Sequence, residues 1–135
     1  MANRELAQRF MDALGRIERG GDVARMVELF ADDCRLGNAA AHREFHGKDG
    51  VRYFWHEYRG SFGDVRSEFR NVVVADGSIA LEWRTEGTSP DGHPLSYEGV
   101  TILETDGDRI RRFHAYFDPR RLGRQMYEGE PARHP

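Results

Sequence analysis

Six histidines, one cysteine and 23 acidic residues are the groups in this chain whose types could do chemistry. His42 and His46 stand four apart, a spacing that on a helix brings two imidazoles to one metal ion, but residues 39–47 carry no helical periodicity. His56 could join them only through the fold, and no metal site or cofactor is expected. His114 alternates with Phe113 and Ala115, which puts it on the opposite face of its strand from them. No glycine-rich phosphate loop, dinucleotide fingerprint or Ser–His–acid arrangement occurs in the sequence, and Asp91-Gly92 and Asp106-Gly107 are turn chemistry. Cys34, the single cysteine, excludes an intramolecular disulfide and fits a reducing compartment. It lies in a short apolar segment, where a small buried hydrophobe is the expected role. On alternation alone, Leu81 and Trp83 belong to a core face while Glu82, Arg84 and Glu86 face solvent.

The elements that position these groups divide the chain in two. Leu6, Phe10, Leu14 and Ile17 recur at helical spacing and predict a helix over 3–18, stopped by Gly20-Gly21. Asp22 can cap a second helix whose one face is Val23, Met26, Val27 and Phe30. A short strand, 34–38, and a loop, 39–47, follow. Val51, Phe54, Trp55 and Tyr58 predict a helix over 49–59, closed by Gly60. Beyond residue 64, the turn signals Asp76-Gly77, Pro90-Asp91-Gly92 and Asp106-Gly107-Asp108 separate four strand-like segments, 69–75, 78–87, 95–105 and 109–117. Asp118-Pro119 then reads as a cap and first residue of a helix over 119–127, and 128–135 as a flexible tail. The prediction is one α+β domain over residues 1–127.

A formal charge of −3 gives no reason to expect nucleic acid or an anionic membrane as partner. Arginine outnumbers lysine 19 to 1, and seven arginines fall in 109–135 and are read as a solvated face. No run approaches the ~20 apolar residues that a membrane span needs, so a cytoplasmic location is expected.

Three strings, Phe30-Ala31-Asp32-Asp33, Gly47-Lys48-Asp49-Gly50-Val51 and Tyr116-Phe117-Asp118-Pro119, in this order of elements, resemble the nuclear transport factor 2-like superfamily. Within it the chain is most similar to the SnoaL-like branch, related to ketosteroid isomerases and limonene epoxide hydrolases. The resemblance covers about residues 5–127. It implies a cone-shaped α+β barrel, with N-terminal helices on the concave face of a strongly bent, mostly antiparallel sheet. It also implies an apolar cavity running into the cone, and homodimers formed through the convex sheet face.

The same resemblance implies site positions. Where the isomerases carry a general-base aspartate, this chain has Asn38, which hydrogen-bonds but takes no proton near neutral pH. The epoxide hydrolases have an asparagine there, helping to hold a water. Their Arg and Asp two apart on the second long strand correspond to Glu82 and Arg84, which would then point into the cavity as a pair, with Trp83 on the convex face. Their last acid, and that of the cyclases, falls on Ala115. Leu36, Trp55, Tyr58, Tyr97, Phe113, Ala115 and Phe117 are the implied lining. The expectation is a binding domain for an apolar small molecule. The alternative is an isomerase, cyclase or hydrolase acting on a small cyclic substrate with Glu82, Arg84 and Asn38 as its polar site.

Overall fold

The structure, a computed structural model, describes residues 2–40 and 43–128. His42 and the tail beyond residue 128 lie outside the described residues. The element order is α1 (Ala2–Gly20), α2 (Ala24–Glu28), β1 (Phe30–Asn38), β2 (Phe45–His46), α3 (Gly47–Gly60), β3 (Val65–Val74), β4 (Ser78–Thr88), β5 (Pro94–Asp106), β6 (Arg109–Tyr116) and α4 (Pro119–Glu128).

The six strands form one bent, unclosed sheet in the order β2-β1-β6-β5-β4-β3. β3 to β6 are an antiparallel meander, while β1 runs parallel to β6, with Leu36 beside Phe113 and Asn38 beside Ala115. The bend needs close approach of backbone at particular points. A side chain at Gly99 would strike the Tyr116 carbonyl and the ring of Trp83, its partner across β4 and β5. A bulge around Arg70 divides β3 between Phe69 and Asn71.

α1 buries Leu6, Phe10, Leu14 and Ile17 against the concave face, and ends where Gly21, at φ 74°, returns its N–H to the Ile17 carbonyl. The helix lies along β3 and is clipped at both ends. Asn3 Nδ2 donates to the Ala75 and Asp76 carbonyls, and Ser67 at the other end of β3 donates to Glu18. About 22 Å of helix and about 26 Å of strand separate the two clips, so the lengths match. α3 adds Val51, Phe54 and Trp55 to the same core. Cys34 is buried in β1, and burial pushes its thiol up from the ordinary value.

Several boundaries differ from the sequence expectation. Phe30 is the first residue of β1 and not part of α2, because Ile110 N–H bonds the Leu29 carbonyl and draws the chain onto β6. The segment expected as a loop contains β2, which pairs Phe45 and His46 with Leu36 and Arg35. β3 starts at Val65, four residues before the expected start, since Val65, Ser67 and Phe69 alternate toward the interior in register with β4. At the end of β6, Asp118 Oδ1 accepts the Arg120 and Arg121 N–H groups and caps α4. α4 in turn covers the part of β5 that β6 leaves unpaired, where Gln125 Oε1 accepts the Ser96 N–H.

Candidate functional site

Between the helices and the concave sheet face lies a cavity of about 70 Å³. α1 contributes Phe10 and Leu14, α3 contributes Phe54, Trp55 and Tyr58, and β1 contributes Asn38. The sheet supplies Ser67 and Phe69 from β3, Trp83 and Thr85 from β4, Tyr97 and Thr101 from β5, and Phe113 and Ala115 from β6, with Phe117 beyond it. Asn38, Phe54, Tyr58, Tyr97 and Phe117 also border a larger, open space of about 620 Å³ between α3 and α4. The cavity therefore has a wide mouth and a narrow inner end.

Its walls are a network of rings. Phe113 stacks with Phe10 at 6.0 Å and meets Phe54 and Trp55 edge-on at 5.3 Å each. Tyr97 meets Trp83 at 5.2 Å and Phe117 at 5.3 Å. Edge-to-face contacts of this kind hold side chains in fixed orientations and leave faces for a flat molecule.

A polar cluster interrupts the rings. Glu18, only 7% exposed, accepts the Ser67 N–H on Oε1 at 2.9 Å. Its Oε2 accepts the Ser67 hydroxyl at 2.6 Å and the Tyr58 hydroxyl at 2.8 Å. Ser67 Oγ also lies 2.7 Å from Thr85 Oγ1, its partner across β3 and β4. Three donors thus offset the cost of burying one carboxylate. Burial above all, then the neighbouring Tyr97 and Glu18, holds the Tyr58 phenol well above its ordinary value. Tyr97 is raised by burial and then by Glu18. Both phenols stay neutral at physiological pH.

The two tryptophans differ. Trp83 Nε1 donates to Thr101 Oγ1 at 2.9 Å. Trp55 Nε1 is buried and has no partner among the described residues.

Of the residues singled out in the sequence, Asn38, Trp55, Tyr58, Tyr97, Phe113, Ala115 and Phe117 line the cavity. Leu36 is fully buried beside Phe113 and does not border it. Glu82 and Arg84 are a correction, because both lie on the outer face. Leu81, Trp83 and Thr85 are buried on the inner face, and strand alternation sends their neighbours the other way. Nor do the two pair with each other. Asn71 Nδ2 donates to Glu82, and Arg84 reaches Glu86 at 3.0 Å. Trp83 correspondingly points inward and not to the convex face. His114 is on the outer face, above Gly37 and 4.4 Å from the Tyr116 ring, and burial lowers its pKa. No cluster of three potential metal ligands occurs among the described residues.

Sequence reasoning missed Glu18, Ser67 and Thr85. Glu18 follows Leu14 by four residues, so a carboxylate sits on the apolar stripe of α1, and that was its signal. Ser67 and Thr85 fall at inward positions in the alternations Val65, Ser67, Phe69 and Leu81, Trp83, Thr85.

The model of the SnoaL-like domain family matches residues 7–113, and the chain belongs to that family. Solved structures agree on the fold. A nuclear transport factor 2-like protein of Burkholderia pseudomallei superposes with a TM-score of 0.84 at 16% identity, over 94% of this chain and 98% of that one. A protein of Jannaschia sp. CCS1 described as a SnoaL-like polyketide cyclase gives 0.80 at 17%, over 96% and 93%. A ketosteroid isomerase-like fold from Catenulispora acidiphila, in complex with trimethylamine, gives 0.79 at 18%, over 97% and 98%.

Proposed function

We propose that this SnoaL-like domain binds a small, cyclic, mainly apolar molecule inside its cone. The observation that carries the reading is the ring-lined cavity that widens into the mouth between α3 and α4. Pockets of this make-up, apolar walls with a few fixed polar atoms, are the usual form of a small-molecule site. The alternative, turnover by Glu82, Arg84 and Asn38 acting together, loses its support because the first two lie across the sheet from Asn38.

The test is direct. Native mass spectrometry and calorimetry with naphthalene derivatives should show one ligand per chain, and Ala115→Leu, which fills the inner cavity, should weaken binding by about tenfold or more while the protein stays folded. Unchanged affinity in Ala115→Leu would overturn the reading.

The outer sheet face is proposed as a homodimer surface. Its support is an apolar strip of Val73, Ile102 and Tyr116 amid ion pairs such as Arg70–Glu98 and Arg112–Glu104. No helix among the described residues is long and apolar enough to cross a membrane. A cytoplasmic location remains a proposal, supported by the unpaired, buried Cys34.

A further inference from the structure

We propose that the inner end of the cavity is a hydroxyl anchor: it takes a phenol, enol or ring alcohol that donates its proton to Thr85 Oγ1. The inference rests on the binding reading above and names the chemical class of the ligand.

The direction of the protons decides it. A serine hydroxyl has one hydrogen, and that of Ser67 goes to Glu18 Oε2 at 2.6 Å. Ser67 Oγ must then be the acceptor in its contact with Thr85, so the Thr85 proton points at Ser67. Thr85 Oγ1 is left with lone pairs and no hydrogen to give. Thr85 borders the cavity, so its hydroxyl presents an acceptor there, held in that sense by a carboxylate two bonds away along the chain Thr85 to Ser67 to Glu18.

A donor belongs to the same wall: Trp55 lines this space and its Nε1–H is buried without a partner among the described residues. A hydroxyl is the simplest group that can give one hydrogen and receive others. A bare carbonyl would leave Thr85 facing nothing, and a carboxylate would be brought toward Glu18, like charge against like. An ammonium would suit Glu18 but could accept nothing from Trp55.

Size fixes the orientation. The inner space, about 70 Å³, is less than half of the ~150 Å³ that holds a benzene molecule in an engineered apolar cavity. Only a hydroxyl and the edge of its ring fit there, with the remaining body in the mouth among Phe54, Tyr58, Tyr97 and Phe117.

The experiment compares 2-naphthol with 2-fluoronaphthalene, of similar size but with no hydrogen to donate, and with 2-(aminomethyl)naphthalene as the cation, by calorimetry near pH 7. The expected result is that 2-naphthol binds about tenfold tighter than the fluoro compound and tighter than the amine. Thr85→Val should erase the preference, so that 2-naphthol and 2-fluoronaphthalene bind the variant with equal affinity. Ser67→Ala, which releases the Thr85 proton to turn toward the ligand, should shrink it, and decides the matter alone if the valine variant does not fold. Equal affinity for naphthol and fluoronaphthalene, a preference that survives in both variants, or tightest binding of the amine would overturn the anchor while leaving the binding reading intact. Binding of none of the three would overturn the binding reading itself.

Discussion

On one strand, β4, the two faces of the sheet solve opposite problems. Inward, Leu81, Trp83 and Thr85 are all at most 7% exposed, and the polar atoms of the last two are each matched to a single partner, Thr101 and Ser67. Outward, Glu82, Arg84 and Glu86 sit among Asn71, Arg66 and one another, with side chains in contact with water. The inner contacts are few and directional, and an unmatched group there has no solvent to turn to. The outer ion pairs are many, interchangeable and screened, each worth about 0–1 kcal/mol. Opposite charges two apart on a strand therefore mark a face, not a site. The specific polar chemistry is carried by neutral hydroxyls and one buried acid.

The largest test of this contrast removes a ring. Phe113→Ala should cost about 3–5 kcal/mol in a urea titration, since Phe113 touches Phe10, Phe54 and Trp55. Glu68→Ala, on the outer face but outside the Val73, Ile102 and Tyr116 strip, should stay within about 0.5 kcal/mol. A similar loss at both positions would erase the distinction.

Glu18→Gln comes next. It keeps the shape but turns one acceptor oxygen into an NH₂ that faces donors, and should cost about 1–3 kcal/mol, with α1 loosened from β3. Glu86→Gln, which weakens an exposed pair with Arg66 and a half-buried one with Arg84, should cost under about 1 kcal/mol. Equal costs in the two variants would count against a special role for the buried acid.

A pH series reads the same interior. Tyr58 and Tyr97 keep their protons to higher pH when folded than when unfolded. Their contribution to stability is therefore full below the unfolded tyrosine value of about 10 and is lost as pH rises beyond it. Thermal melts should fall more steeply between about pH 9.5 and about pH 11 in the natural protein than in a Tyr58→Phe, Tyr97→Phe double variant. Parallel slopes would contradict the buried environment of these phenols.

The smallest effects belong outside. Glu82→Gln with Arg84→Ala should change stability by no more than about 0.5 kcal/mol and leave ligand affinity untouched. Light scattering at micromolar concentration should give twice the chain mass, and Tyr116→Glu should return it to one chain. A monomer in the unaltered protein would remove the proposed dimer surface.

Much of this architecture is written locally. Helix stripes such as Leu6, Phe10, Leu14 and Ile17 and turns such as Asp106-Gly107 act over a few residues, and both are read from the chain directly. β2 is not, because two residues pair only when tertiary structure brings them to β1. The site was half legible. The rings announced themselves by size, and Asn38 by its place after Ala31-Asp32-Asp33. Family position alone misplaces Glu82 and Arg84, whereas the alternation of β4, with the apolar Trp83 between them, gives the outward phase found in the structure. Glu18 was obscured by distance: its partners are 40 and 49 residues away, and nothing near it in sequence explains an acid on an apolar stripe.

A crystal structure of the protein with 2-naphthol tests the central claim most directly. The account predicts the naphthyl rings in the mouth between α3 and α4, with the hydroxyl oxygen about 2.5–3.0 Å from Thr85 Oγ1. A ligand seated on the outer face beside Glu82 and Arg84, or one inside the cone with its hydroxyl turned away from Thr85, would contradict it.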